Sequence, residues 1–598
     1  MVAWLLAPLQ PHGLQAAEAL RYTVTIAPTG EPPLDAAATQ SSNLVQLRAK
    51  GDVSPATLVA RARTDQSRLA DAMHSLGHYA GRTAITIAGH DLEDPSLPDA
   101  LDAWPAGKAV TIAVVPAPGP VFTLRHVRID GDAAGQALAL PPGAPAIAAD
   151  VLAAGARLQA KLLASGHALA RVDAPVADVD LAAQAVDVTF AVQAGPRVSI
   201  GRITVSGLAG LKESYVRRRL SLRSGTRYDP QALDAARADL AKVPAIASVR
   251  LQPAAATDPD GTLPVDVAIV ERKQHAVSLT AAFSTDQGGN LTAGWTDRNL
   301  FGRAEVLAVS AGLTQLGATA ARQPGYKAAG LLTLPDWLRR DQSLSFSALA
   351  VRESLDAYDR TALIAGTTFE RRLLAHWTGS VGLFGERAHF LQDHVGRDYT
   401  LAQLPVGLHY DTTTSLTDAT TGTRADAVLT PTESVGRGNS AFTIAQISGA
   451  QFFDLAAPGR SVLALRALIG TVQGATTFAI PPDQRFYGGG SGTIRGYRYQ
   501  SVGPRLGNNK PQGGTSIAAG TIEFRQRFGE SLGAAVFIDS GEVGRSSRPG
   551  AGRFRTGAGI GVRYYTAIGP VRADIAVPLQ HQRGNDPLEL YLGLGQAF

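Results

Sequence analysis

The sequence predicts a chain in two parts, with α+β repeats followed by an all-β transmembrane barrel of about 16 antiparallel strands. Three observations lead to this prediction. One pattern of strands and helices occurs three times between residues 20 and 274. From His275 onward the helical period disappears, and apolar residues alternate with polar ones. The chain also lacks the uninterrupted apolar run of about 20 residues that forms a transmembrane helix.

The composition limits the function. The chain has 598 residues, with 56 Lys and Arg against 51 Asp and Glu, so its net charge of +5 is small for its length. A charge this balanced gives no indication of nucleic-acid binding. The absence of Cys excludes thiol catalysis, disulfides and Cys-bound zinc, and it suits an oxidising compartment.

Residues 1–19 are expected to be the remnant of an export signal or a disordered N-terminus. An apolar run covers residues 2–9, and the small residues Ala16 and Ala17 form a plausible cleavage site. No Lys or Arg precedes the apolar run, so the signal is truncated at its start compared with a complete one.

Each repeat begins with an alternating strand, continues with an Ala- and Leu-rich helical stretch, and ends with two more strands. Ser54 and Asp229 stand where N-caps are expected, and Gly77 and Gly166 follow two of the helices. We interpret the repeat as a β-α-α-β-β unit whose helices cover a small mixed sheet. The predicted first strands are 22–27, 124–130 and 200–205; the long helices are 55–76, 148–164 and 230–243; the second strands are 83–88, 168–172 and 248–251; and the third strands are 110–115, 186–192 and 265–270.

Sheets of this kind leave an edge strand open, and an open edge can add an extended strand from another chain. One interpretation of the repeats is therefore that they dock client or partner chains by strand addition. The alternative is that they act as spacers.

The C-terminal segments show the barrel pattern most clearly. In residues 521–528, Ile522 and Phe524 fall on one face, and Glu523 and Arg525 fall on the other. Residues 558–565 and 571–579 alternate in the same way. A membrane barrel turns its apolar face to lipid and its charges to the lumen, which fits this pattern. Short turns such as 568–571 are expected on one side of the membrane, and the longer polar segments 541–553 and 580–587 on the other.

Three motifs in the barrel region, together with the tandem repeats, resemble the BamA/TamA superfamily of outer-membrane insertases, also called the bacterial surface antigen family. They are WTDRNLFG at 295–302, FYGGGSGTIRGY at 486–497 and LYLGLGQAF at 590–598. The resemblance covers about residues 20 to 598, and the three repeats and overall length are most similar to the TamA branch, the translocation and assembly module. Ala419 stands where the family commonly has Pro, so the turn around it is expected to differ.

The resemblance implies boundaries, location and partners. Residues 20–119, 120–196 and 197–274 would be POTRA domains in the periplasm, and residues 275–598 the barrel in a Gram-negative outer membrane. The implied function is insertion or translocation of outer-membrane proteins such as autotransporters. The implied partners are the lipid bilayer, unfolded outer-membrane clients and an inner-membrane-anchored, periplasm-spanning protein similar to TamB. We expect no enzyme activity, cofactor, metal or nucleic-acid partner.

A glycine-rich loop at residues 488–496 lies between the predicted eleventh and twelfth strands and can fold back tightly. In the family this loop enters the lumen, and its arginine pairs with a carboxylate of the wall. The candidate loop residues are Gly492, Ile494, Arg495, Gly496 and Tyr497, and the candidate partners of Arg495 are Asp539, Glu523 and Asp574. Asp539 is placed first because residues 537–541 match the family pattern F-x-D-x-G. The alternative is an exposed loop arginine.

A barrel can open only by parting its first and last strands, because every other backbone pair would be lost to lipid. In the last strand, Leu590, Leu592, Leu594 and Phe598 are expected on the lipid face, and Gly593 and Gly595 on the lumenal face. Small lumenal residues weaken packing and suit a seam that opens. The alternative is that this strand serves only as an assembly signal for the protein itself.

Two other functions remain open on the sequence. One is a two-partner secretion transporter of a dedicated substrate, and the other is an adhesin or porin with a periplasmic scaffold. Enzyme-like motifs are weak. His74 and His78 have the i, i+4 spacing of metal ligands, but Gly77 breaks the helix there and no third ligand is near. Residues 488–496 lack the G-K-[ST] ending of a phosphate loop.

Overall fold

The computed structural model describes residues 19–133, 136–284, 288–317, 323–435, 439–456, 458–567, 569–582 and 584–598. The apolar run and cleavage site of the expected signal lie outside these residues. The described chain forms two compact units. One comprises residues up to 204 with 222–235 and 251–266, and the other comprises 205–221, 236–250 and 267–598.

The first repeat contains a four-stranded sheet and its helices. Its elements are β1 (Tyr22–Ile26), α1 (Pro32–Ser41), α2 (Asn43–Gln46), a 3₁₀ turn (Arg48–Lys50), α3 (Pro55–Ser75), β2 (Arg82–Ile87), β3 (His90–Asp91), α4 (Leu97–Asp102) and β4 (Val110–Ala117). The strand order is β1-β4-β2-β3. The Ser54 hydroxyl caps α3 by accepting a hydrogen bond from the amide of Thr57. Leu58 of α3 is buried in one core with Ile112 and Val114 of β4.

The second repeat has one helix where two are expected. Its elements are β5 (Thr123–Gly131), α5 (Ala148–Ala164), β6 (Arg171–Val172), β7 (Val176–Asp180) and β8 (Ala185–Gln193). Residues 136–147 form turns and a bridge instead of a first helix. Pro141, Pro142 and Pro145 explain this difference, because proline lacks an amide donor and clashes with the preceding helical turn. β5 and β7 both pair with β8, as β6 does.

The third repeat has the expected β-α-α-β-β order. Its elements are β9 (Ile200–Ser206), α6 (Glu213–Arg219), α7 (Pro230–Ala241), β10 (Ile246–Pro253) and β11 (Leu263–Glu271), and the sheet order is β10-β11-β9. The carboxylate of Asp229 accepts a hydrogen bond from the amide of Gln231 at 2.9 Å, as expected of an N-cap. Residues of this repeat belong to both compact units.

From His275 the chain forms a closed antiparallel barrel. Its strands are β12 (His275–Ser284), β13 (Gly288–Asp297), β14 (Val306–Leu316), β15 (Gly325–Pro335), β16 (Gln342–Ser354), β17 (Asp359–Leu374), β18 (Trp377–Gln392), β19 (Val395–Gln403), β20 (Val406–Asp411), β21 (Gly422–Val435), β22 (Ser440–Ala456), β23 (Ser461–Gln473), β24 (Ser516–Phe528), β25 (Leu532–Gly544), β26 (Arg555–Thr566), β27 (Gly569–Pro578) and β28 (Glu589–Leu594). A short 3₁₀ turn, Pro482–Gln484, lies between β23 and β24.

The described residues of the barrel form sixteen strand positions, in agreement with the predicted number of about 16. β19 and β20 occupy one position, because each of them pairs with both β18 and β21. Leu404 and Pro405 separate the two, and proline cannot donate to a strand ladder. We call the end of the barrel at which β12 begins the proximal end, and the opposite end the distal end.

The two faces of the strands differ as the alternation predicts. Exposed apolar side chains point outward, and buried charged side chains point into the lumen. The exposed set includes Ile522, Ile538, Ile560 and Ile575, and the buried set includes Glu523, Asp539, Arg563 and Asp574. The segment expected as a distal connection at 541–553 is shorter, because β25 continues to Gly544. No helix in the described part of the chain has the length and hydropathy needed to span a bilayer.

The buried carboxylate of Asp65 in α3 generates a prediction for the first repeat. It accepts hydrogen bonds from the Ser42 hydroxyl at 2.6 Å and from the amides of Asn43 and Leu44 at 2.7 and 2.9 Å. Asp65→Ala leaves these buried donors without an acceptor. The free energy of local unfolding of α2 and α3 should therefore fall by about 2–4 kcal/mol. Hydrogen–deuterium exchange of the full-length protein measures this. Asp71→Ala, at an exposed position of the same helix, is the control. Equal exchange in the two variants would contradict the prediction.

Candidate functional site

The connection between β23 and β24, residues 474–515, enters the barrel, and we call it the lumenal loop. It joins strand positions eleven and twelve at the distal end, where the sequence analysis places it. Its backbone folds back on itself through bridges between Phe486 and Gly514 and between Gly488 and Val502. Arg495 is 1% exposed, whereas an arginine on a loop in bulk solvent would be largely exposed. The loop therefore contains a buried guanidinium that needs compensating groups.

Asp539 on β25 is the main partner of Arg495. One oxygen, Oδ2, accepts hydrogen bonds from the Arg495 backbone amide at 2.9 Å and from Nε at 2.8 Å. The other oxygen, Oδ1, accepts from Nη2 at 3.0 Å. This two-pronged contact uses the planar fork that distinguishes arginine from lysine.

Two further acids and an aromatic ring surround the same guanidinium. Nη1 of Arg495 donates to Glu523 Oε2 at 2.8 Å and lies 3.4 Å from Asp574 Oδ2. The ring centroid of Phe537 lies 3.4 Å from Cζ of Arg495, within the range of a cation–π contact. The structure thus brings all three acids named from the sequence around Arg495, and Asp539 makes the most bonds.

Three arginines of the barrel wall share these carboxylates. Nε of Arg525 donates to Glu523 at 2.7 Å, Nη1 of Arg572 donates to Asp574 at 3.2 Å, and Arg563 also donates to Asp574. We call these residues the arginine cluster: Arg495, Arg525, Arg563, Arg572, Glu523, Asp539 and Asp574. Four guanidiniums share three carboxylates, so the loss of any acid would raise the net positive charge of this buried site from +1 to +2.

Two glycines allow the loop backbone to reach the wall. Gly496 has φ +90°, and a Cβ there would lie 2.7 Å from the carbonyl of Val577 on β27. A Cβ on Gly557 of β26 would lie 1.8 Å from the carbonyl oxygen of Arg495. Gly557 was not among the residues selected from the sequence. Its signal there is the run of glycines at 557, 559 and 561, which alternate along one face of β26.

The other motif residues differ in what they contribute. The Tyr497 hydroxyl donates to the carbonyl of Gln580 at 2.9 Å, and its ring forms a small buried cluster with Ile494 and Val502. Gly492 stands in open space, with no atom within 4 Å of a Cβ built on it. The structure therefore brings Ile494, Arg495, Gly496 and Tyr497 into the lumenal contacts and leaves Gly492 outside them.

The loop contacts the last strand of the barrel directly. The amide of Gly496 donates to the hydroxyl of Tyr591 on β28 at 3.1 Å. Tyr591 also pairs with Ser284 of β12, and this is the only residue pair between β12 and β28 within the described chain. Arg563 adds a second link, since its Nε donates to Gln596 at 2.9 Å. The seam between the first and last strands is thus tied from inside to the arginine cluster.

The outward face of β28 agrees with the predicted alternation. Leu592 and Leu594 are exposed, Leu590 is half-buried, and Gly593 lies close to the Arg572 side chain of the wall. Tyr591, which the sequence analysis did not select, is the large lumenal residue of this strand, with 1% exposure.

The prediction that Phe598 faces lipid is wrong. Gly595 has φ +84°, which ends the extended strand, and the amide of Gln596 donates to the carbonyl of Thr417. The ring of Phe598 then packs beside Phe452, with ring centroids 6.2 Å apart, and Arg525 lies over it at 5.3 Å. The alternation rule fails here because it holds only for extended backbone. The turn around Ala419 lines the same lumenal pocket, and Ala419 itself is buried there.

A second ion-pair group holds the other end of the lumenal loop. Asp483 accepts a hydrogen bond from Arg360 of β17 at 2.6 Å, and Glu353 and Glu386 lie 3.3 and 3.9 Å from the same guanidinium. Here the loop supplies the acid and the wall supplies the arginine, the reverse of the arginine cluster. Sequence reasoning missed this contact, because residues 123 positions apart leave no local pattern.

The WTDRNLFG motif forms the first proximal turn of the barrel. Asp297 accepts hydrogen bonds from the Gln274 side chain, and the Asn299 side chain accepts from the amide of Ala304. The carbonyl of Gly302 accepts from the amide of Lys212 at 2.8 Å. The motif is therefore a structural turn in the compact unit that contains the barrel.

A neighbouring proximal turn carries an ion-pair group outside the strands. Asp336 lies 2.5 Å from Arg219 of α6 and accepts from the Tyr215 hydroxyl at 3.1 Å. Burial, together with the Asp336 carboxylate, raises the pKa of Tyr215. Burial also acts to raise the pKa of Asp341, but the hydrogen bond and charge of Arg372 outweigh it, so this pKa lies below its ordinary value.

The two histidines with metal-like spacing have separate contacts. Nδ1 of His78 lies 3.1 Å from the carbonyl of Gly119, and its Nε2 lies 3.4 Å from Glu31. His74 stacks on Tyr79. The two imidazoles thus serve local packing and hydrogen bonding in the first repeat.

Comparison with known proteins identifies relatives of this arrangement. The family model described as the Omp85 superfamily domain matches residues 299–598. The outer membrane protein assembly factor BamA of Neisseria meningitidis serogroup B is 21% identical over 557 residues, which cover 82% of this chain and 68% of that protein.

Solved structures are similar over comparable lengths. BamA from Haemophilus ducreyi lacking POTRA domains 1–3 matches with a TM-score of 0.65 and 16% identity, covering 78% of this chain and 99% of that one. CdiB from Acinetobacter baumannii matches with a TM-score of 0.47 and 14% identity, covering 80% and 91%. The first of these supports the fold, with α/β repeats before a barrel.

We predict that Arg495 and Asp539 are energetically coupled. Arg495→Ala and Asp539→Ala should each lower barrel stability by up to about 3–5 kcal/mol, because each leaves a buried charge unpaired. The double variant should be little worse than either single variant. Urea titration of the folded mobility form in lipid vesicles, read on unboiled gels, measures these stabilities.

The control cycle combines Arg495→Ala with Asp426→Ala. Asp426 is a carboxylate on β21 that pairs with His409 and has no recorded contact with Arg495. Losses in this second cycle should add. Additive losses in the Arg495 and Asp539 cycle would show that the two residues are not partners.

Proposed function

Because the chain belongs to the Omp85 superfamily, we propose that it is an outer-membrane assembly factor that inserts or translocates client proteins through the seam between β12 and β28. The protein lies in the outer membrane of a Gram-negative bacterium, with its α/β repeats in the periplasm. The relative from Neisseria meningitidis carries an assembly function in its name, which supports the proposal.

The observation that carries this proposal is that, among the described residues, 275–283 of β12 pair with β13 and not with β28. Neighbouring strands elsewhere in the barrel pair over long ladders, such as Ser516 to Phe528 with Leu532 to Gly544. β12 and β28 pair through Ser284 and Tyr591 in the described residues. Parting β12 from β28 along 275–283 breaks no backbone pair of the described residues, whereas parting a long ladder exposes groups to lipid that each cost several kcal/mol. A client strand could replace the missing partner by adding to the free edge of β12.

The open edges of the repeats support a docking role. The edge strands of the first sheet are β1 and β3, and those of the third sheet are β9 and β10. We propose that client or partner chains add to these edges as extended strands. Charged and short edge strands such as β3, with His90 and Asp91, would discourage unspecific pairing.

Within the superfamily we propose a TamA-like role. The three repeats before the barrel support it, and autotransporters would then be among the clients. The proposed partner is an inner-membrane-anchored, periplasm-spanning protein similar to TamB. The alternative, a two-partner secretion transporter, would handle one dedicated substrate, so the range of clients separates the two.

Locking the seam tests the proposal. The register of Ser284 with Tyr591 places Ala282 opposite Gly593, so Ala282→Cys with Gly593→Cys should form a disulfide across the seam. The natural chain has no cysteine to interfere. Oxidised, this variant should lose insertion of an autotransporter β-domain into proteoliposomes, and reductant should restore it.

In the matched control, the disulfide joins two neighbouring strands that stay paired in the proposed mechanism. Ser310 and Ala329 pair directly between β14 and β15, and Ser310→Cys with Ala329→Cys should leave insertion unchanged when oxidised. Full insertion by the oxidised seam variant would overturn the seam mechanism. Insertion of one substrate only, among several autotransporters tested, would favour the transporter.

A further inference from the structure

An apolar groove of about 580 Å³ lies on the outer wall of the barrel, away from the lumenal loop. It crosses β17, β18, β20, β21 and β22, which are strand positions six to ten of sixteen. Most of its lining residues belong to the outward-facing set of their strands. The outward lining includes Phe369, Arg371, Gly379, Leu408, Ala427 and Ala445.

The register explains the concave shape. Directly paired residues place Arg371, Gly379, Leu408, Ala427 and Ile447 in one row across the strands. Large and small side chains alternate along this row. The glycine and alanine positions are the low points, and the larger neighbours are the walls. The groove therefore follows from side-chain size in a fixed register, within a volume range typical of ligand sites.

Arg371 supplies a positive charge at the proximal side of this apolar surface. Its side chain is exposed, and no carboxylate of the described chain lies within ion-pair distance of it. Its neighbour Arg372, by contrast, bonds to Asp341 at 2.6 Å. An outward arginine on a lipid-facing strand is costly unless its charge reaches a polar partner.

Aromatic residues mark the depth of Arg371 in the membrane. Trp377 and Tyr410 lie next to each other near the proximal end, with ring centroids 4.8 Å apart, and Trp337 packs against Phe369 of the groove. Rings of this kind form the girdles at the interfaces of membrane barrels. Arg371 lies on β17, the strand of Phe369, and it is two residues closer to the proximal end. Its guanidinium can therefore reach the headgroup layer.

We propose that this groove binds a glycerophospholipid of the periplasmic leaflet. One acyl chain lies against Gly379, Ala427 and Ala445, and the phosphate accepts hydrogen bonds from Arg371. The chemistry of the site requires both parts of such a molecule. Inorganic phosphate would leave the apolar groove unfilled, and a neutral hydrocarbon would leave the guanidinium without an acceptor.

The groove lies away from the seam, so a lipid bound there would not take part in parting the first and last strands. Strand positions six to ten lie on the wall opposite the contact between the first and last strands. A lipid held there would fix the depth of the wall that stays closed while the seam parts. The inference depends on the barrel lying in a membrane and is independent of which clients the protein inserts.

Native mass spectrometry of the full-length protein tests this assignment. Purified protein in detergent is titrated with dioleoylphosphatidylglycerol, and the apparent affinity for the first bound lipid is measured. Arg371→Gln should weaken it about tenfold, the effect of losing one charged contact. Gly379→Leu, which fills the floor of the groove, should weaken it as well.

The matched control is Arg387→Gln, at an exposed position on β18 outside the groove. It removes a charge of the same kind and should leave the first affinity unchanged. Equal affinity for wild type and Arg371→Gln would overturn the proposal, as would an equal loss in Arg371→Gln and Arg387→Gln. The heat-modifiable gel shift of each variant checks that the barrel is folded.

Discussion

A buried guanidinium inside the barrel determines how the surrounding structure must be built. Arg495 is almost completely removed from solvent, and a charge in that position needs acceptors on several sides. Asp539, Glu523 and Asp574 supply them from three different strands. Those acids in turn need the wall arginines, and the close approach needs glycines at 496 and 557. One loop position thus constrains the side chains of four wall strands.

The same contacts connect the loop to the seam at which we propose that the barrel opens. A bilayer requires every backbone group of a strand to be paired, so the proposed opening lies where a described strand edge has no partner. Among the described residues, 275–283 of β12 pair with β13 and not with β28. Tyr591 lies on that seam and accepts a hydrogen bond from the residue after Arg495. The opposite wall holds the loop through Asp483 and Arg360 with the charges reversed, so a misplaced loop would bring like charges together.

Local sequence patterns predicted most of the fold. They failed where a glycine ends a strand and where prolines prevent a helix. Period-two alternation predicted the barrel and the lumenal side of the three acids, because a strand exposes one face to lipid and the other to the lumen. The length of residues 275–598 predicted about sixteen strands. The pattern misplaced Phe598, since the left-handed backbone of Gly595 ends the strand. It also gave the second repeat a helix that three prolines prevent. Contacts such as Arg360 with Asp483, and Arg495 with Gly557, join distant segments and have no periodic signal.

Hydrogen–deuterium exchange of the full-length protein in lipid vesicles tests most directly whether the buried arginine holds the seam. Arg495→Gln should speed amide exchange in β28, because it frees the loop that contacts Tyr591, and exchange in β21 on the opposite wall should stay the same. The control is Arg485→Gln. Arg485 is a buried arginine of the same loop, and within the described residues its side chain donates only to carbonyl and amide oxygens. It should leave β28 unchanged. Unchanged exchange of β28 in Arg495→Gln would contradict the account.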